Sequence, residues 1–546
     1  MRISRDSLHL MVALFVGLII VACSPAGSTE ATGNVVDSES APEALTFEQT
    51  GPIGEAIPGM ADGQRLLAWI APGNRPGNQT AGSPGELVYF NPDGSTESIL
   101  SLPQGTTRVT ECGPEGTSPD GSVFAFIATV TAGGEEKGTI YLVNGTSSEL
   151  TTVDSDLNPA SCVGSTPFQF SADGSQFAFI EWSLDATNQT SPYGFLRIYD
   201  TASASQVASF ENVTTFDFTD SGAVWVSFFP NDDGEATEVA ITSWDGSVDI
   251  EVSSLVADEE NECYYNSASI TDVSTGLMAI MGYRCQRGSV TNTQWQLFNI
   301  DPANRTAQLE QSDVSAGRYF VFSQTNALFA SPDGSNVMFT LPDGITNQSV
   351  SLWTTPVSGV APTQLIDRSV VMPSVSDLPY DANNSTAVTS PDGRYLALVV
   401  NTPNNDATLN VFDLSDPSLP PIALDAGDQG DTIGAMVFSA ASDRLFYVAG
   451  SDQGGNNSLF SLDLTTGTES RIRRGRYAQI AVSPDGSTLA AMNWVEFDPE
   501  EPRYLTMEVI DVASTAPTVV YVGGEVDAEG ELQNQSFAYP IAWRQG

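Results

Sequence analysis

Four arginines, Arg471, Arg473, Arg474 and Arg476, crowd into six residues of a chain that has only 20 basic residues among 546. Guanidinium groups at that density can hold an anionic ligand or an acidic partner through paired hydrogen bonds. The plainer reading is ion pairing with acids a little further on, Glu496, Asp498, Glu500 and Glu501, and both readings stay open. Two acidic runs containing glycine offer oxygen ligands that could hold Ca2+ weakly: Asp425, Asp428 and Asp431 in DAGDQGD, and NDDGE from Asn231. Neither run has EF-hand spacing. The one histidine is His9, so Ser-His-Asp chemistry and histidine metal sites are excluded from the rest of the chain. No GxSxG elbow is present. Carboxylate pairs remain available among 68 acidic residues, but no catalytic residue stands out.

The N-terminus carries its own signal. Arg2 and Arg5 precede an apolar run from Leu8 to Ala22, which Cys23 ends. The run is shorter than the roughly 20 residues a spanning helix needs and fits a secretory leader. Ile20, Val21, Ala22 and Cys23 resemble the lipobox of bacterial lipoproteins. That resemblance implies cleavage after residue 22 and a lipid on Cys23, anchoring an exported chain to a bacterial membrane on its periplasmic or extracellular side. Residues 23–50, rich in Ser, Ala, Gly and Glu, lack the apolar surface to offset the entropy of ordering and read as a tether. Four cysteines then remain, Cys112, Cys162, Cys263 and Cys285. An even number in an exported chain reads as disulfides, with Cys112–Cys162 and Cys263–Cys285 as the pairing that position favours.

Removing Arg2, Arg5 and Asp6 with the leader leaves 18 basic and 67 acidic side chains. A surface so negative repels nucleic acid and anionic headgroups. The hydrophobic share of 41% argues against disorder and supplies a sizeable core.

The elements that would position any site come from a repeat. SPDG occurs at Ser118, Ser331, Ser390 and Ser483, and SADG at Ser171, each followed by an apolar run. Weaker copies begin at Met60, Thr219, Val273 and Ser439. The nine starts are spaced by about 53 residues, the length of a propeller blade with loop insertions. Proline presets one corner of the turn, aspartate bonds backbone downstream, and glycine takes the positive φ that closes it. Second strands such as GTIYLVN and TLNVFDL recur after each start. The pattern predicts an all-β fold: one propeller over residues 51–546 with four-stranded blades, eight or nine in number, seven being the smaller alternative. The terminal SFAYPIAWRQG alternates Phe537, Tyr539, Ile541 and Trp543 and reads as an innermost strand that closes the ring on the first blade. The long insertions fall on the face opposite the SPDG turns, where a binding site is expected.

This repeat resembles the WD40-like repeat of the TolB family and of the propellers of prolyl oligopeptidase relatives. The resemblance implies a lipid-anchored, non-catalytic propeller that binds or scaffolds an envelope or extracellular protein. The competing expectation is a propeller that binds or hydrolyses extracellular glycans through carboxylates and aromatics such as Trp182 or Tyr193.

Overall fold

The computed structural model describes residues 51–545 apart from 73–84, 103–105, 113–115, 120–121, 133–134, 145–148, 158–167, 185–189, 220–221, 231–235, 244–248, 252–262, 274–275, 288–289, 302–303, 305, 316–327, 332, 334, 343–348, 357–362, 372–386, 402–406, 426–431, 451–456, 496–503, 524, 527–531 and 534–535. All of it falls within the compact unit Phe47–Gly546. The leader, Cys23 and the tether up to residue 50 lie outside the described residues.

The described residues form strands and no α-helix. Six antiparallel sheets of four or more strands are arranged as a β-propeller, with a separate ribbon of Glu525–Val526 and Leu532–Gln533. The first sheet orders its strands Ser536–Gln545, Gln64–Pro72, Glu86–Phe90 and Thr96–Ser101. The second runs from Thr106–Glu111 to Leu150–Leu157. The third has eleven strands between Phe168 and Ser315, and the fourth eight between Leu328 and Asp425. The fifth orders Thr432–Phe438, Arg444–Gly450, Asn457–Asp463 and Thr468–Gly475. The sixth orders Tyr477–Val482, Thr488–Val495, Tyr504–Asp511 and Pro517–Gly523, with Gly51–Pro52 added outside the last.

Apolar residues alternate onto both faces, so the core lies between sheets. Leu67 and Trp69 of the first sheet pack with Phe124 and Phe126 of the second. Phe168, Phe177 and Phe179 of the third meet Ile127 and Leu142 of the second. Val411 of the fourth meets Tyr447 of the fifth, and Phe446 of the fifth meets Ile480 and Leu489 of the sixth.

Both chain ends close the ring. The strand Ser536–Gln545 pairs along the whole of Gln64–Pro72, from Gln64↔Gln545 to Pro72↔Ser536. Trp543 donates its indole N–H to the Ala481 carbonyl of the sixth sheet at 2.9 Å. From the N-terminal side, Gly51 and Pro52 pair with Val522 and Tyr521. Thr488 Oγ1 donates to the Gly59 carbonyl at 2.8 Å, and the Ile57 N–H donates to Pro92 O at 2.8 Å. This crossing needs Gly94: its φ is +77°, and a Cβ there would stand 2.0 Å from the Glu55 carbonyl oxygen. Gly94→Ala is therefore expected to cost about 4 kcal/mol, since backbone and not a side-chain tip must move. A urea melt reads it, and a loss under about 1 kcal/mol would show that the crossing yields freely.

Serine proves to be the organising residue of the repeated turn. In four copies its buried or half-buried Oγ donates to the aspartate two residues on: Ser171–Asp173 at 2.8 Å, and Ser331–Asp333, Ser390–Asp392 and Ser483–Asp485 at 2.6 Å each. The same Oγ accepts the N–H five residues on, at 2.8–3.0 Å for Gln176, Asn336, Tyr395 and Thr488. The Ser439 copy replaces glycine with Ser442 at φ 56°, and its serine donates to Asp443 instead, at 2.7 Å. Ser483 is wholly buried, so Ser483→Ala strands the Thr488 N–H and should cost about 1–3 kcal/mol, measurable by thermal unfolding.

Hydrogen bonds from Ser175 and Ser171 hold the Asp173 carboxyl down to about 2. Bonds from Ser331 and Ser335 hold Asp333 down to about 2. Carboxyls depressed by folding favour the native state above their unfolded value near 3.9, and the contribution disappears as pH falls through about 2. An acid titration followed by tryptophan fluorescence should lose structure across that window. Ser171→Ala should begin its loss at higher pH, and superimposable curves would contradict this role for the turn.

The sheets number six where eight or nine separate blades were expected. The difference has a structural cause. The strand Ser205–Thr219 is 15 residues long and serves two neighbours. Its first part pairs with Thr190–Asp200 and its second with Gly222–Pro230, the chain turning at Asn212 with φ 61°. Single pairs, Ala236↔Tyr265 and Val370↔Val400, join further groups of strands edge to edge.

Candidate functional site

The arginine run forms the outer strand of the fifth sheet and its exit. A tight turn starts the strand: Asp463 Oδ1 accepts the Thr466 N–H at 2.8 Å, and Gly467 takes φ +66°. Phe460 pairs with Arg471 and Leu459 with Arg473, so Ile472 is an extra, bulged residue. Arg471 and Arg474 are exposed, while Arg473 and Arg476 are half-buried.

From Gly475 the chain passes to the inner strand of the sixth sheet through Arg476 alone. A Cβ on Gly475 would meet the Tyr477 ring at 2.7 Å and Asn493 Oδ1 at 2.9 Å, so glycine is what the packing admits. Asn457 clamps the crossing like one rung of a ladder. Its Oδ1 accepts the Tyr477 N–H and its Nδ2 donates to the Tyr477 carbonyl, both at 2.7 Å. Asn493 Oδ1 accepts the Arg476 N–H at 2.9 Å.

Behind this crossing lies a buried carboxylate. Glu508 is 3% exposed. Tyr477 Oη donates to Glu508 Oε2 at 3.0 Å, and Asn493 Nδ2 donates to Oε1 at 2.9 Å. Arg473 Nε stands 3.7 Å from Oε2. Burial of this kind is tolerated only with such partners. Burial first, and then the Glu508 charge, push the Tyr477 hydroxyl well above the ordinary phenol range, against the opposing pull of Arg473. Tyr477 thus remains a proton-bearing donor at working pH. The group lies toward the Asn457 end of the strand Asn457–Asp463 and the Val495 end of the strand Thr488–Val495.

Chemically, the arrangement couples a phenol and a carboxylate through one hydrogen bond of 3.0 Å beside a guanidinium. That set can shuttle a proton without histidine. Arg473, whose side chain is 36% exposed, is its outlet to solvent.

Of the sequence candidates, the Arg473 side chain stands beside Glu508 and the Arg476 backbone bonds to Asn493; Glu496, Asp498, Glu500 and Glu501 lie outside the described residues. Asp425 ends the strand Ile422–Asp425; Asp428, Asp431 and the run from Asn231 lie outside the described residues. So do the side chains of Trp182 and Tyr193. Among the described residues no group of three or more His, Cys, Asp or Glu is placed to hold a metal. Cys112 is buried and disulfide-bonded; Cys162 is outside the described residues. Cys263 and Cys285 are directly opposite each other on adjacent antiparallel strands. Sequence reading missed Tyr477, Asn457, Asn493 and Glu508. The available signal was Glu508 itself, an acid inside the apolar strand YLTMEVID.

No protein-family model matches the chain, and no curated protein matches it. Solved structures with similar strand arrangement include a eukaryotic initiation factor at 12% identity and TM-score 0.48, over 87% of this chain and 99% of that one. Porphyromonas gingivalis dipeptidyl peptidase 4 aligns at 10% identity and TM-score 0.44, over 76% of this chain and 59% of the peptidase. An oligogalacturonate lyase in complex with manganese aligns at 11% identity and TM-score 0.38, over 84% of this chain and 100% of the lyase. At these scores the likeness assigns no activity.

Enzymes nevertheless stand among these neighbours, and the expectation of a non-catalytic scaffold is corrected. That expectation weighed the missing histidine, which leaves carboxylates as the chain's candidate acid–base groups; Glu508, hydrogen-bonded to Tyr477 from a second strand of one sheet, is one held out of water.

Proposed function

We propose that this chain is an acid–base enzyme that cleaves extracellular glycans, with Arg473, Tyr477, Asn493 and Glu508 as its working centre. The observation that carries the reading is the carboxylate of Glu508, held out of water and hydrogen-bonded to a phenol whose proton is tightly kept. In the proposed step a water molecule gives a proton to Tyr477 Oη as the Tyr477 proton moves to Glu508 Oε2, the water oxygen bonds to the anomeric carbon, and the glycosidic C–O bond breaks, the departing oxygen taking its proton from solvent. The raised affinity of the phenol for its proton favours concerted movement over a free phenolate. Asn493 fixes the carboxylate plane, and Arg473 offsets its charge.

The surrounding architecture is part of the proposal. Eight or nine hairpin-based units, of the TolB-like kind, make up the ring. The mature chain begins at a lipid-bearing Cys23 outside the cytoplasmic membrane, and Cys112–Cys162 and Cys263–Cys285 are bridged. Directly opposed residues on antiparallel strands stand about 4.5–5.5 Å apart at Cα, within the span a disulfide takes.

Product release from a panel of neutral and acidic polysaccharides tests the reading. Wild-type protein should cleave at least one member. Glu508→Gln and Tyr477→Phe should slow it by about a hundredfold or more while melting cooperatively. Equal rates in folded variants, or an inert wild type across the panel, would refute it.

A further inference from the structure

We infer that Arg473 makes this site selective for substrates bearing a carboxylate, of the uronic-acid kind. The inference rests on the function proposed above and names its substrate class.

Four features lead to it. First, Glu508 compensates the charge of Arg473 without bonding its Nε, and the bond from Arg473 to the Tyr477 hydroxyl leaves further donors of the fork over. The 3.7 Å separation between Nε and Oε2 exceeds hydrogen-bond reach, and the buried Nε has no hydrogen-bond partner. A guanidinium offers five donors in a planar fork that matches a carboxylate. Second, part of the side chain faces solvent, being 36% exposed, while its carboxylate partner is 4% exposed. An incoming ligand therefore meets the Arg473 side chain before it reaches Glu508.

Third, the choice of arginine is pointed. The chain contains a single lysine, Lys137, and a formal charge of -48. A carboxylate approaching such a surface is repelled almost everywhere. Only a locally positive spot can hold it, and Arg471, Arg473, Arg474 and Arg476 concentrate four of the 20 basic residues in one strand and its exit. Fourth, Arg473 is anchored and not mobile in role. Its strand leads directly into Gly475 and Tyr477, so a carboxylate seated on it lies beside the phenol that would take the proton.

The test compares binding of trigalacturonate and neutral galactotriose to the full chain by calorimetry. Wild type should prefer the acid at least tenfold, and rising salt should erode the preference. Arg473→Gln should abolish the preference while neutral binding persists, and Arg473→Lys, which keeps charge but not the fork, should restore it in part. Lys137→Gln, on the second sheet and outside this group, should behave as wild type. No preference in the wild type, or an undiminished preference in Arg473→Gln, overturns the inference. Should Arg473→Gln fail to fold, competition on the wild type decides: free galacturonate should displace the trimer and galactose should not, and the reverse or no displacement overturns it. The two claims fail separately. Cleavage that survives Glu508→Gln defeats the catalytic reading alone, and acid preference that survives Arg473→Gln defeats the selectivity alone.

Discussion

Removing residues 536–546 should abolish the cooperative fold of the whole propeller. The strand Ser536–Gln545 is hydrogen-bonded along all of Gln64–Pro72 and buries Ala538, Tyr539, Ile541, Ala542 and Trp543. Tyr539 stacks on Trp69 with ring centroids 5.2 Å apart, and Trp543 bonds across to the sixth sheet. At about 1.5–3 kcal/mol for each large side chain returned to water, the loss is on the order of 5–10 kcal/mol. That rivals the roughly 5–15 kcal/mol by which ordinary domains are stable. The exposed edge of Gln64–Pro72 would also invite intermolecular pairing. Calorimetry should show no cooperative transition for the truncated chain, with recovery on adding a 536–546 peptide in excess. A truncated protein that melts within a few degrees of the parent would mean that the ring is held elsewhere.

Glu508→Ala should be the most damaging single substitution in the site, at about 3–5 kcal/mol, because it leaves Arg473, the Tyr477 hydroxyl and the Asn493 amide facing a void. Glu508→Gln keeps shape and some hydrogen bonding and should cost less, about 1–2 kcal/mol. The ordering matters more than the sizes. Chemical denaturation of both variants reads it, and a Glu508→Ala protein as stable as Glu508→Gln would show that the carboxylate is not holding these partners together.

The turns were legible because their rules are local. A serine, a proline, an aspartate and a glycine within four residues carry both the corner and its hydrogen bonds, and eight of the nine starts lie between two paired strands. The ninth, at Met60, leads into Gln64–Pro72, whose inner partner is the C-terminal strand. Alternation in SFAYPIAWRQG was enough to foresee that closure. Sheet boundaries were not legible, because one bend at Asn212 decides whether a continuous strand counts once or twice. The site was half legible. Clustering drew attention to Arg473, yet its partner is 35 positions later, on a different sheet, with nothing in the intervening spacing to connect them. The role of serine in SPDG was also missed, since composition shows a small polar residue while only the fold shows that it is buried or half-buried with two side-chain bonds to make.

The most direct measurement is a crystal structure of the full chain soaked with trigalacturonate. The account predicts a ligand carboxylate on the Arg473 guanidinium, beside Tyr477 Oη, with Glu508 still bonded to Tyr477 and Asn493. A trimer seated elsewhere on the propeller, with the Arg473 guanidinium untouched, would contradict it.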